Sequence, residues 1–241
     1  MRYVTRNRQV SCGEAIGILL LDSVIPFIPG DVANATTYEF PVRFKKVPGF
    51  TVARAVDKDD SVYDDLLTAA RDLAANGVRA VTGDCGFMAL HQQRLQKNLG
   101  LPVCLSSLLQ IPFIRHLIPA GTGIGILTAS SQGLTPNFFE TIGIPFGSDL
   151  LIHGMETYPE FDAAVMEECG TLDAGKLRQE VVTAARKLRH LNAGAILLEC
   201  SVLPPYARAV HQVTGLPVFD YLTMINQVFQ ALEPHRYKVF K

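Results

Sequence analysis

Two cysteines stand in matched settings. Asp84-Cys85-Gly86-Phe87 and Glu199-Cys200-Ser201-Val202 each place a thiol directly after an acid and a short apolar run, Ala80-Val81 in one case and Ala195-Ile196-Leu197-Leu198 in the other. Each is followed at the same distance by Gly-Leu-Pro-Val, Gly100 to Val103 and Gly215 to Val218. A thiol between the end of a strand and the start of a helix faces unpaired backbone N–H groups, which lower its pKa and can hold a substrate anion. Two such thiols confronting each other across a cleft suit proton transfer at carbon. One thiolate removes a proton and the other thiol delivers one to the opposite face, each transfer being worth about 10²–10⁴-fold. The N–H groups would stabilise enolate-like charge.

The elements around the thiols repeat as well. Gly13-Glu14-Ala15-Ile16-Gly17-Ile18-Leu19 is echoed by Gly121-Thr122-Gly123-Ile124-Gly125-Ile126-Leu127, in the same order relative to the cysteines. This pattern indicates an internal duplication of about half the chain, too widely spaced for a solenoid and suited to two similar lobes. Strands are expected at Ile16–Leu21, Val78–Thr82, Leu101–Leu105, Ile124–Thr128, Leu150–His153, Ala195–Leu198 and Pro217–Phe219. Helices are expected at Ser61–Asn76, Phe87–Asn98, from Ser106 or Ser107 towards Ile118, at Pro136–Ile142, Glu160–Glu168, Ala174–Leu191, Pro205–Val213 and Leu222–Leu232. Apolar strands alternating with helices predict an α/β fold of mostly parallel sheets covered on both faces, with ligands bound beyond the carboxyl ends of the strands. Both cysteines fall there. The stretch from Pro26 to Gly49, with Arg43, Lys45 and Lys46, reads as a long functional loop carrying a solvated charge cluster.

Composition narrows the partners. The chain has 241 residues, 48% of them hydrophobic and 19% charged, which suits a buried core. A net charge of −1 gives no reason to expect nucleic acid or an anionic membrane. The five cysteines (Cys12, Cys85, Cys104, Cys169, Cys200) are odd in number and widely spaced, which predicts free thiols in a reducing, cytoplasmic setting. Cys12, Cys104 and Cys169 read as packing. A disulfide between Cys85 and Cys200 would need a tight approach of the lobes. Arg2, Arg6 and Arg8 before the apolar run Ala15–Leu21 mimic a secretion signal, but the run is short and ends at Asp22. No apolar segment approaches the ~20 residues that span a bilayer. No metal site is expected, because no Cys-x-x-Cys occurs and none of the histidines has an i,i+4 partner. No cofactor is expected: Gly121-Thr122-Gly123-Ile124-Gly125 lacks the dinucleotide-loop spacing and precedes a strand.

Through Gly-x-x-Ile-Gly-Ile-Leu followed by Asp22-Ser23, through Cys85, and through Cys200 with Ser201, nearly the whole chain resembles the aspartate/glutamate/hydantoin racemase superfamily. The resemblance implies two pseudo-symmetric α/β lobes, an active site between them, cofactor-independent racemisation by the two cysteines, and frequent dimers. It also implies that the chain crosses back, giving a first lobe of residues 1–105 with 217–241 and a second of 106–216. The amino-acid racemases usually carry Asn-Thr after the first cysteine and Thr after the second. This chain has Gly86-Phe87 and Ser201, so the pocket is less polar. Free aspartate or glutamate gives way to a hydantoin-like ring or a substituted small acid.

The candidate site therefore comprises Cys85 and Cys200 as acid/base residues. Asp22, Ser23, Ser130 and Ser131 stand at the ends of equivalent strands, and Gly86, Phe87 and Ser201 beside the thiols. The hydroxyls of Ser23, Ser130 and Ser131 and the N–H groups of Gly86 and Ser201 are expected to bind substrate carboxylate or amide. Neighbours on a strand point to opposite faces, so Asp84 and Glu199 can face away from their thiols; their recurrence points the other way, to a role in raising or orienting the thiol. His153, at the end of a second-lobe strand, reads as a surface or core histidine. A racemase or epimerase of an amino-acid derivative is the leading expectation. A cis/trans isomerase or decarboxylase of a small diacid on the same scaffold is the alternative, and a non-catalytic two-lobed binding module is the rival from another class.

Overall fold

The computed structural model describes residues 9–234. Arg2, Arg6, Arg8 and His235 lie outside that range. Among the described residues, eight strands form two separate four-stranded parallel sheets. In the first, β1 (Ile16–Leu20), β2 (Val42–Lys46), β3 (Ala80–Gly83) and β4 (Val103–Cys104) lie in the order β2-β1-β3-β4. In the second, β5 (Gly123–Thr128), β6 (Leu150–Gly154), β7 (Ala193–Leu198) and β8 (Val218–Phe219) lie in the order β6-β5-β7-β8. The two orders are the same once the second set is renumbered, so the duplication read from Gly17 and Gly125 is a duplication of topology.

Those glycines have a common cause. A methyl at Gly17 would stand 3.0 Å from a terminal carbon of Leu73, and one at Gly125 would stand 3.0 Å from Leu188 Cβ. Leu73 lies on α2 (Tyr63–Ala75) and Leu188 on α7 (Ala174–His190), the helices that cover each sheet. Both central strands carry glycine where their helix comes closest. Each helix turns its apolar stripe inward: Leu66, Ala69, Ala70 and Leu73 on α2, Leu177, Val181, Ala184, Ala185 and Leu188 on α7. Together with β5, β7 and the strand ends of the first sheet they form one continuous core through both lobes.

The other face of the first sheet is covered from the far end of the chain. Helix α9 (Tyr221–Leu232) packs Tyr221, Met224 and Ile225 on Ile16, Ile18, Ala80 and Cys104. It starts from a capping box in which the Asp220 carboxylate accepts the Thr223 N–H and the Thr223 hydroxyl accepts the Asp220 N–H. The hand-over falls later than expected at residue 217. Val218 and Phe219 pair with Ile196 and Leu197 in the second sheet, and the chain crosses back only from Asp220. An apolar dipeptide can extend either sheet, so its lobe is a matter of which edge lies nearer.

Several expected elements differ in kind. The long connection from Pro26 to Gly49 contains β2, whose basic residues are paired rather than merely solvated: Arg43 with Glu14, Lys45 with Asp72 and Lys46 with Asp22. A short helix, α1 (Val52–Val56), precedes α2. The expected helix from Phe87 is a 3₁₀ turn over Gly86–His91 that becomes α3 (Gln92–Leu99), closed by Gly100 in the left-handed region. Ser106 caps a 3₁₀ turn leading into α4 (Ile111–Leu117), and Thr135 caps α5 (Pro136–Thr141). Glu160–Glu168 is not one regular helix: α6 (Pro159–Phe161) passes into a π-helical turn over Asp162–Met166. The start of α6 is held by Glu180, whose carboxylate accepts the N–H groups of Glu160 and Phe161 at 2.8 and 3.0 Å. Helix α8 (Ala207–Thr214) follows a 3₁₀ turn at Pro204–Tyr206. No helix of the described residues is long and apolar enough to cross a membrane.

Candidate active site

Both thiols line one cavity between the lobes. Its walls are Leu21, Ser23, Ile25, Phe27, Val52, Val56, Asp84, Cys85 and Phe87 from the first lobe, and Ala129, Val165, Cys200, Ser201 and Val202 from the second. Among the described residues, no lysine, arginine or histidine contributes to this lining. The free volume is about 30 Å³, little more than one water molecule occupies. Nothing larger than a water fits the cavity with its walls as they stand.

The cover is the loop after β1. It carries Ile25 and Phe27 over the cavity and continues to the second lobe, where Val32 N–H donates to the Ser201 carbonyl at 3.4 Å and Gly30 packs against Pro205. Val24 N–H donates to the Glu168 carboxylate at 2.7 Å, just beyond the π-helical turn that brings Val165 to the cavity. π-helical turns recur at functional sites because the inserted residue re-aims its neighbours.

Each sulfur accepts from the backbone N–H two residues on, Phe87 for Cys85 and Val202 for Cys200. These N–H groups pull the thiol pKa values down, as expected from the strand-to-helix setting, but they do not prevail. Burial, followed by the charges of Glu199, Asp84 and Cys200, pushes the Cys85 thiol well above its ordinary value. Burial and then Glu199 push Cys200 up. Both are therefore thiols at rest, and strong bases once deprotonated. The expectation of lowered values failed because it counted the donors and not the burial, to which the acids add.

Those acids do not simply face away. Asp84 lines the cavity and accepts the Leu21 N–H at 3.0 Å, and burial raises its pKa to about 8. Its backbone carbonyl accepts the Ser201 hydroxyl, a bond from lobe to lobe. Glu199 is 1% exposed and crosses the same boundary in the other direction: a methyl on Gly86 would fall 1.6 Å from its Oε1. Burial raises Glu199 to about 7, with Thr128 beside it acting the other way. Asp31, on the covering loop itself, accepts the Ala33 N–H at 2.7 Å and is raised by burial to about 7.

Of the residues expected from sequence, Ser23, Cys85, Phe87, Cys200 and Ser201 meet at the cavity. Gly86 lies behind it, against Glu199. Asp22 is turned to Lys46 and the Gly49 N–H, at 2.7 and 3.0 Å, because it ends a strand beside basic β2. Ser130 and Ser131 are not among the lining residues. Ser131 gives its hydroxyl and its N–H to Glu156, so Ala129 is the residue of that turn that reaches the cavity. His153 is half-buried and hydrogen-bonds the Tyr158 hydroxyl at 3.0 Å. The apolar walls Ile25, Phe27, Val52, Val56 and Val165 went unread; no spacing marks a loop residue that folds over a cleft. All five cysteines are free, and Cys12 and Cys169 are exposed rather than packed. Among the described residues no group of His, Cys, Asp and Glu gathers as a metal site requires.

Known structures share this architecture. Allantoin racemase from Pseudomonas fluorescens superposes with a TM-score of 0.63 over 94% of this chain and 100% of its own, at 16% identity. Picrophilus torridus aspartate racemase gives 0.56 over 94% and 96%, at 14% identity, and arylmalonate decarboxylase 0.54 over 92% and 95%, at 16%. The fold is shared with these racemases and with the decarboxylase. Sequence relatives are nearer. "Dimethylsulfoniopropionate lyase" of Durusdinium sp. clade D is 30% identical over 216 residues, covering 86% of this chain and 71% of the relative. "Dimethylsulfoniopropionate lyase 6" of Emiliania huxleyi is 32% identical over 231 residues, covering 90% of this chain and 60% of the relative, so the chain spans about three fifths of that protein. No family profile matches. The chain belongs to the family of these lyases.

Proposed function

We propose that the chain catalyses β-elimination from dimethylsulfoniopropionate, a lyase reaction in place of the racemisation expected from sequence. A thiolate removes the proton next to the carboxylate, the electron pair forms the C=C bond, and the C–S bond breaks. Dimethyl sulfide leaves with the bonding pair, and acrylate and one proton remain. We assign the base to Cys85, the more open of the two thiols, with Cys200 facing the same carbon.

One observation carries the reading: an apolar cavity that holds two thiols and an acid, backed by further buried acids, has no basic side chain in its wall. A dicarboxylate would add negative charge there with no partner. A zwitterion brings its own cation, which favours the acids and the faces of Phe27 and Phe87. Its carboxylate is left to the Ser23 hydroxyl and the backbone N–H groups on the sulfurs. Incubating the purified protein with dimethylsulfoniopropionate and measuring dimethyl sulfide in the headspace tests the assignment. No release above a boiled control rejects it.

A second reading keeps the racemase chemistry, because elimination needs one base and both thiols are present. Solvent deuterium entering the substrate of a racemase panel, without any dimethyl sulfide, would select it.

A further inference from the structure

Racemisation returns its proton to the substrate, whereas the elimination proposed above releases one proton per turnover. Two thiols alone have no place to put it. Of the buried carboxyls beside the thiols, Asp84 is already engaged by the Leu21 N–H, which leaves Glu199 to hold it. Glu199 is 1% exposed, and its Oε1 has no hydrogen-bond partner. That oxygen is aimed out of its own lobe at Gly86, next to Cys85, and only a residue without a side chain at position 86 leaves the space. An unpaired buried carboxyl oxygen costs stability, so its retention at this place calls for a use.

The groups facing it are few. Cys85 and Tyr221 approach from the first lobe, with the Tyr221 hydroxyl donated to the Leu105 carbonyl at 2.9 Å; Cys200 approaches from the second, as does Thr128, whose hydroxyl holds the Glu199 pKa down, and Asp84 acts on both thiols. Asp31 adds a more distant negative charge, felt by Cys200 and Asp84. Among the described residues no cation stands in the adjacent cavity wall and none acts on Glu199, so no ion pair holds it permanently ionised.

Resting on the lyase reading, we propose that Glu199 is the proton acceptor of the cleft, a positioning residue that acts through Cys85. Its carboxylate takes the proton of the Cys85 thiol, breaking S–H and forming O–H. The thiolate then takes the substrate proton and becomes a thiol again as C=C forms and C–S breaks. Glu199 afterwards releases its proton to solvent, which accounts for the one proton the reaction produces. A water, or rotation about the Cys85 Cα–Cβ bond, joins the two groups. In the empty cleft the transfer is uphill, because the thiol is the weaker acid; a bound sulfonium offsets this by favouring the thiolate.

The test follows dimethyl sulfide release against pH for the wild type, Glu199→Gln and Glu199→Asp. In the wild type kcat/KM should fall as pH drops below about 7, where Glu199 becomes protonated and can no longer accept. Glu199→Gln should lose that limb and roughly 10²-fold or more of the rate, while Glu199→Asp restores part of it. A Gln variant with the wild-type rate and acid limb overturns the assignment. Should that variant not fold, the pH dependence of iodoacetamide labelling at Cys85 in the wild type decides: an inflection near 7 supports the pairing, and its absence ends it. If the wild type releases no dimethyl sulfide, the lyase reading fails first, and the labelling still judges the carboxyl–thiol pair on its own.

Discussion

The two halves share a strand order and a thiol frame, yet they use the acid before the cysteine differently. Asp84 is short and satisfied at home, by the Leu21 N–H of the strand beside it. Glu199 is one methylene longer, leaves Oε1 unpaired, and reaches across to the other lobe. The following residues mirror this: Gly86 yields space to the partner acid, whereas Ser201 donates its hydroxyl to the Asp84 carbonyl. A duplicated scaffold has thus become an asymmetric site, in which the second half supplies the reach and the first half receives it.

If the asymmetry matters for chemistry, four experiments bear on it. The largest effect is expected from the thiols. Cys85→Ser should lower dimethyl sulfide release by roughly 10²–10⁴-fold, and more than Cys200→Ser does; equal losses would argue for a symmetric two-thiol reaction. Next comes Gly86→Ala, whose methyl would collide with Glu199 Oε1. Thermal unfolding should show a loss of about 1–3 kcal/mol, as for other overpacked interiors. Adding Glu199→Ala should recover part of it, a coupling that independent sites do not show.

The third concerns stability against pH. Asp31, Asp84 and Glu199 have pKa values raised to about 7, 8 and 7 in the folded chain. Between pH ~4 and those values the folded state holds protons that the unfolded state has released, so stability falls as pH rises through this window. The melting temperature should be higher at pH 5 than at pH 8, and Asp84→Asn should flatten the slope. A melting temperature that climbs over that range would contradict the burial of these acids. The smallest effect is expected from Ser201→Ala, which removes a single bond between lobes and should cost about 0.5–1.5 kcal/mol in denaturant unfolding.

Much of this could be read from the chain itself. The paired thiols, the alternation of apolar runs with helical stripes, and the glycines that admit α2 and α7 are local patterns, and each translates directly into a strand, a helix or a turn. The matched Gly-Leu-Pro-Val segments located both cysteines beyond strand ends. Positions that end a strand are less informative. Asp22 and Ser131 were as eligible as Ser23 by sequence, and only the neighbours that claimed them, Lys46 and Glu156, took them out of the cavity.

By itself the sequence determined the two-lobed α/β architecture, the duplicated topology and the thiol pair, because periodicity and spacing act over a few residues and survive any arrangement of the lobes. Tertiary structure alone decided how the thiols ionise, since that depends first on how deeply they are buried and then on which carboxyl crosses the boundary between halves. It also decided which apolar residues close the cavity and where the chain returns to the first sheet. Burial and charge act through space over a few ångströms, and residues 86 and 199 become neighbours only when both lobes have folded against each other.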